Sequence, residues 1–137
     1  MRTILDTGPL VAFLNRRDVH HSWARDIFQG VSAPVSTCES VISEACFLLR
    51  SIPGGAESIF ELVERRLIAV RFRLADEAAA VRKLLKKYAN VPISLADACL
   101  VRMAEQDSRA SVLTLDGDFR LYRKNGREVI PVLMPSG

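Results

Sequence analysis

Three common catalytic signatures are missing from this chain. No Cys-x-x-Cys pair, no glycine-rich phosphate loop and no Gly-x-Ser-x-Gly elbow occurs in its 137 residues, so zinc-ribbon, nucleotide-binding and serine-hydrolase readings lose their main support. Histidine is scarce. The two that exist, His20 and His21, point about 100° apart on a helix and lack the i, i+4 geometry of paired zinc ligands, so they read as surface residues. The three cysteines, Cys38, Cys46 and Cys99, form an odd count inside apolar helical stretches. They read as small buried hydrophobes in a reducing compartment rather than as a disulfide set, which makes the cytoplasm the expected location. No apolar run approaches the ~20 residues that cross a bilayer, so no membrane association is expected. The N-terminal MRTILDTGPLVAFLN is interrupted by Asp6 with no small-residue cleavage site after it, and no signal peptide is read there.

What is present is ordinary in bulk and unusual in placement. A hydrophobic fraction of 49% and a charged fraction of 26% suit one globular domain over residues 1–137, long enough to bury a core without covalent staples. The net charge of +3 fits polyanion binding without demanding it. The unusual feature is four acids, Asp6, Glu44, Asp97 and Asp116, each inside or at the edge of an apolar segment. Burying a carboxylate is costly unless it is paired, hydrogen-bonded or bound to a metal. A shared Mg²⁺ or Mn²⁺ would answer for all four, and such ions in enzymes usually work on phosphate esters.

Short β-leaning segments alternate with helical ones. Residues 2–6 read as a strand running into a helix through Asn15, followed by a helix over 19–29, a strand over 33–36 and a helix over 37–50. After a turn at Pro53, Gly54 and Gly55 comes a helix with Ile59, Phe60, Leu62 and Val63 on its apolar face. A core role is expected for these, with docking of a partner helix as the alternative. A strand at 67–72 and a helix over 76–88, apolar at Ala79, Ala80 and Leu84, precede an all-round apolar helix over 94–106. Strands at 111–115 and 129–133 close the chain. This alternation predicts an α/β fold with a central parallel sheet and helices on both faces, and sites in such sheets form beyond the carboxyl ends of the strands.

Each acid has a bland alternative. Asp6 can cap the helix that follows. Glu44 stands in a stripe with Val41, Ala45 and Leu48, so its carboxylate is expected to face inward, where a buried ion pair with an arginine explains it as well as a metal does. Asp97 completes Ser-Leu-Ala-Asp, a capping-box pattern with Ser94. In Leu-Thr-Leu-Asp-Gly-Asp-Phe, Asp116 and Gly117 suit a turn with Asp118 capping a short helix. Spacing does not decide which of Asp116 and Asp118 enters a crevice, and Asp116 is preferred because it ends the strand. Four separate coincidences at places the fold brings together are harder to accept than one shared cation. Two basic segments remain. Arg82, Lys83, Lys86 and Lys87 read as a solvated helix face, whereas Arg120, Arg123, Lys124 and Arg127 follow the last acids closely and are the better candidates for RNA phosphates, Arg120, Arg123 and Lys124 foremost.

Taken together, ILDTGPLVAFL, VISEACFLL, SLADACLVRMAE and VLTLDGDF, in that order and spanning essentially the whole chain, resemble the PIN-domain family, most closely the VapC-type toxins of toxin–antitoxin pairs. The resemblance implies a three-layer α/β/α fold with a central parallel sheet of four to five short strands. It also implies a Mg²⁺- or Mn²⁺-dependent endoribonuclease, homodimerisation, and a cognate antitoxin that occludes the site. Asp6, Glu44, Asp97 and Asp116 match the family's acidic quartet, and Thr114 matches a hydroxyl position that helps order the metal site, with Asp118 as a possible assistant. The expected roles are Asp6, Asp97 and Asp116 as metal ligands, with Glu44 as ligand or as proton acceptor from the attacking water. An RNA-processing nuclease without a toxin role and a non-catalytic RNA- or partner-binding module are the alternatives.

Overall fold

The β-favouring run Arg2–Leu5 forms strand β1, its last three side chains buried, and everything else is arranged around it. In this computed structural model, which describes residues 2–136, the order is β1, α1 (Thr7–Leu14), α2 (His21–Gly30), β2 (Val35–Thr37), α3 (Glu39–Leu48), α4 (Gly55–Glu64), β3 (Ile68–Val70), α5 (Leu74–Lys87), α6 (Leu95–Gln106), β4 (Ala110–Leu113), a 3-10 turn (Gly117–Arg120), β5 (Arg123–Lys124), β6 (Glu128–Val129) and β7 (Val132–Leu133). The main sheet has five strands in the order β3-β2-β1-β4-β7, all paired in parallel. The expected three-layer α/β/α architecture is what the chain adopts.

Strand order explains where a site can form. From β1 the chain moves outward to β2 and β3, then crosses back to lay β4 on the other side of β1, in the register Leu5↔Leu113. Connections leave β1 and β4 in opposite directions. A crevice therefore opens beyond their carboxyl ends, as expected at such a reversal.

Side-chain alternation along these strands feeds two cores. Ile4 and Val112 pack with Val81 and Leu84 of α5 and with Leu100 and Val101 of α6. Leu5 and Leu113 turn the other way, onto Leu10 of α1, Ala45 and Leu49 beside α3, and Ile59 of α4. Burial of both faces explains why Ile4-Leu5 and Val112-Leu113 are consecutive apolar pairs, and why the polar Thr3 and Ser111 of the same strands are buried as well.

Several local expectations need correction. The strand expected over 129–133 is two strands: β6 pairs antiparallel with β5, and β7 joins the main sheet beside β4. Pro131 lies between them; it has no N–H, and its carbonyl accepts Val112 N–H at 2.8 Å. The β5–β6 hairpin turns on Asn125 and Gly126, both at positive φ (50° and 84°), a pair that favours this conformation. On α5, Val81 and Leu84 are the buried residues, while Ala79 is exposed. Phe60 is exposed on α4, although Ile59 is fully buried. His21 is half-buried instead of superficial, with Nδ1 2.8 Å from Ala12 O. Among the described residues no helix is long and apolar enough to cross a membrane.

Candidate active site

Asp6 is the first residue past β1, and its backbone N–H donates to Leu113 O at 3.0 Å, which pins it to the end of β4. Its carboxylate caps α1, with Oδ1 accepting Thr7 N–H at 2.8 Å. The capping alternative for Asp6 is therefore real, but it occupies only one oxygen. Oδ2 accepts the Thr114 hydroxyl at 2.6 Å. Thr114, wholly buried, in turn accepts Asp116 N–H at 2.9 Å, so one hydroxyl fixes both strand-end acids relative to each other.

Asp97 arrives from the opposite side, on the first turn of α6. The capping box is formed: Ser94 Oγ accepts Asp97 N–H at 3.0 Å, and Asp97 Oδ2 accepts Ser94 N–H at 3.3 Å. The same Oδ2 accepts the Tyr122 hydroxyl at 3.1 Å. Asp116 caps the 3-10 turn itself, with Oδ1 accepting Asp118 N–H at 2.9 Å. This reverses the expectation that Asp118 would be the cap.

Glu44 departs from its predicted environment. It is exposed, and it carries no arginine partner among the described residues; instead Oε2 accepts the Thr7 hydroxyl at 3.1 Å. The stripe assigned to it turns out to run through Val41, Ala45 and Leu49, while Leu48 is 47% exposed. Glu44 and Leu48 lie together on the neighbouring face, at the crevice rim.

These elements enclose an open crevice of about 580 Å³ lined by all four acids together with Thr7, Ser94 and Leu115. Gly8 forms part of the wall, and a Cβ there would stand 3.2 Å from Leu115 Cβ. Any larger residue would press on the segment that carries Asp116. No lysine, arginine or histidine is among the lining residues. The electrostatic result is visible in Asp6. Burial pushes its carboxyl up from the usual 3.8 to about 6, against the Thr114 and Thr7 hydrogen bonds, and the charges of Asp97 and Asp116 add to the rise. Asp97 is raised as well, first by burial, with its Ser94 and Tyr122 bonds opposing.

A hard divalent cation fits this donor set. The donors are all oxygens, their negative charges lack a cationic side chain in the lining, and Glu44, Asp97 and Asp116 each receive their hydrogen bonds on a single oxygen. Among the described residues no three acidic, histidine or cysteine side chains close into a ready-made cage. Mg²⁺ needs none, because it keeps several of its waters and can meet some of the surrounding carboxylates through them.

The remaining predicted residues separate. The Asp118 carboxylate is not among the groups lining the crevice. Arg120 is exposed on the turn just past Asp116. The Arg123 guanidinium folds back onto the carbonyls of Arg120, Leu121 and Tyr122 at 2.7, 3.3 and 3.1 Å. Lys124, expected to meet RNA, is 5% exposed. Adjacent residues on a strand face opposite ways, and β5 turns Lys124 inward, where its charge acts on Asp107 at the far end of α6. Thr7 and Tyr122 were not legible as site residues, because their partners lie 37 and 25 positions away. Cys38 and Cys99, both buried, lie in the same hydrophobic cluster, in keeping with a core role.

The PIN-domain family model matches residues 3–125. Among solved structures, VapC20 of Mycobacterium tuberculosis, described as a sarcin-ricin loop cleaving toxin, superposes with a TM-score of 0.73 at 20% identity, covering 85% of this chain and 91% of that one. No curated protein sequence matches significantly. With a family match over nearly its whole length and the corresponding fold in place, the chain belongs to the PIN-domain family.

Proposed function

We propose that this protein is an endoribonuclease that hydrolyses RNA phosphodiester bonds with Mg²⁺ or Mn²⁺, and that it is the toxin of a toxin–antitoxin pair. One observation carries the reading: four carboxylates from four separate elements meet in one crevice whose lining includes no cationic side chain. Family membership supports nuclease chemistry, and the fold shared with a sarcin-ricin loop cleaving toxin supports the biological role. A cognate antitoxin, a homodimeric state and a cytoplasmic location belong to the same reading.

In this scheme Asp6, Asp97 and Asp116 hold the cation, which when bound acidifies water and neutralises charge building on the phosphoryl oxygens. Thr114 keeps Asp6 and Asp116 at a fixed spacing, so the ligands need little reorganisation. Glu44, at the open rim and tied to Thr7 through one oxygen only, is placed to serve as a further ligand or to accept the proton of the attacking water. Arg120, exposed on the turn just past Asp116, is placed to meet a phosphate of the RNA.

The test is cleavage of a labelled structured RNA in Mg²⁺ or Mn²⁺, with and without EDTA, followed by end-group analysis. Water as nucleophile requires 5′-phosphate and 3′-hydroxyl ends and loss of activity in EDTA. Products ending in 2′,3′-cyclic phosphate, or cleavage indifferent to EDTA, would overturn the proposal. Growth arrest on expression, relieved by the product of an adjacent small reading frame, tests the toxin role separately.

A further inference from the structure

Tyr122 is fully buried. Its ring is held edge-on by Tyr88 and Phe119, with centroids 5.1 and 5.3 Å away. Packing of this kind leaves the ring little freedom and so fixes where its hydroxyl lies. That hydroxyl is 3.1 Å from Asp97 Oδ2 and 3.4 Å from Pro92 O. A phenol has one hydrogen to donate. The carboxylate is the nearer acceptor and the charged one, and bonds to ionised acceptors are roughly twice as strong as neutral ones. The hydrogen therefore belongs to Asp97.

Both bonds from protein donors fall on the same Asp97 oxygen: Tyr122 O–H from β5's approach and Ser94 N–H from the helix cap. The backbone bond is the longer, at 3.3 Å. A carboxylate held on one oxygen from two directions cannot rotate without breaking both bonds, which leaves Oδ1 as the oxygen offered to the crevice. The donor's chemistry matters as much as its position. An arginine or lysine in place of Tyr122 would neutralise the charge a cation needs, whereas a phenol orients the carboxylate and leaves its charge intact. Neutral hydroxyls do the same for the neighbouring acids: Thr114 holds Asp6 and Thr7 holds Glu44.

We propose that Tyr122 is a positioning residue of the cation site, whose hydroxyl orients Asp97 so that Oδ1 faces a divalent ion. The inference rests on the nuclease reading in that it requires the crevice to bind such an ion. It differs from a core role, in which the hydroxyl would serve only Pro92 O and the ring would matter only for packing.

The test is Mn²⁺ titration by calorimetry on the parent, Tyr122→Phe, Asp97→Asn and the double variant, with melting in EDTA as the control for folding. Tyr122→Phe keeps the ring and its packing and removes one hydrogen bond to Asp97, so it should melt somewhat earlier in EDTA but remain fully folded at the titration temperature. Its Mn²⁺ dissociation constant should rise about 10-fold, as for loss of a group that orients a metal ligand. In the Asp97→Asn background the same change should cost nothing further, because the carboxylate it acts through is gone. Parent-like Mn²⁺ affinity in Tyr122→Phe, or an equal loss with and without Asp97, overturns the positioning role even while the parent binds Mn²⁺ and cleaves RNA. A parent that neither binds Mn²⁺ nor cleaves in its presence overturns both this inference and the nuclease reading.

Discussion

Thr114 and Asp6, 108 positions apart in the chain, are joined by the 2.6 Å hydrogen bond of a wholly buried hydroxyl to a nearly buried carboxylate. The same hydroxyl oxygen accepts Asp116 N–H, so it coordinates two strand ends at once. Thr114→Val preserves shape and removes both bonds. It should destabilise the fold by about 1–3 kcal/mol and lower cleavage about 10- to 100-fold, while Thr114→Ser should restore most of both. Urea unfolding beside a steady-state cleavage assay measures the two effects. A valine variant as active as the parent would mean that the adjacent strands alone space the acids.

Asp97 has two functions that mutation can separate. Asp97→Asn can still accept Ser94 N–H and the Tyr122 hydroxyl through its amide oxygen, so α6 should remain capped and the variant folded. Turnover in Mg²⁺ should fall by at least about 100-fold, since a neutral amide replaces an ionised ligand. Ser94→Ala does the reverse: it removes the hydroxyl that accepts Asp97 N–H, costing about 0.5–2 kcal/mol of stability with a much smaller loss of rate. Should Asp97→Asn cleave like the parent while Ser94→Ala melts early, Asp97 is a cap and nothing more.

The metal-free protein should respond to pH through Asp6. Its carboxyl, raised by burial from 3.8 to about 6, binds a proton more readily in the folded chain than in the unfolded one. Its contribution to stability is therefore complete below 3.8, fades as the pH rises and is gone above about 6, roughly 3 kcal/mol end to end. Melting of the parent and of Asp6→Asn in EDTA, compared between pH 3.5 and 7.5 (values chosen to bracket that window by about a unit), isolates this contribution. Relative to the parent, Asp6→Asn should gain stability as the pH rises through this window, by roughly 3 kcal/mol, because its amide does not ionise, and added Mn²⁺ should restabilise only the parent at the upper end. A difference independent of pH would show that Asp6 is not raised.

Much of this site was written in the chain as charge in the wrong place. Asp6 and Asp116 stand where apolar strands end, and strand order alone carries them to one edge of the sheet. Glu44 was legible as anomalous but not as exposed. Helical spacing put it in a stripe with Val41 and Leu48, and only the packing of α3 on its neighbours selects Leu49 for burial and leaves Leu48 at the rim. The hydroxyls of Thr7 and Tyr122 could not be read at all, because what gives them meaning is a contact between distant segments. The β5–β6 hairpin was a different omission: Asn125-Gly126 is a local turn signal present in the sequence. Recognising it would have revealed that β5 must turn one of Arg123 and Lys124 inward.

That division between exposed and inward cations gives the last prediction. Arg120 is exposed beside the crevice, whereas Lys124 is buried near Asp107. Asp107 lies ten residues beyond Asp97 along α6, about 15 Å at the helical rise of ~1.5 Å per residue. If Arg120 meets a phosphate of single-stranded RNA, Arg120→Gln should raise KM with little change in kcat. It should also reduce the slope of log affinity against log salt by about 0.7, the value for one phosphate contact on a single strand. Lys124→Gln should leave that slope alone and lower the melting temperature instead, because it exchanges a buried charge that has a nearby acid for an amide. RNA binding measured across a salt series for both variants decides the matter. A slope change in Lys124→Gln and none in Arg120→Gln would place the RNA path along the hairpin, on the side away from Asp116.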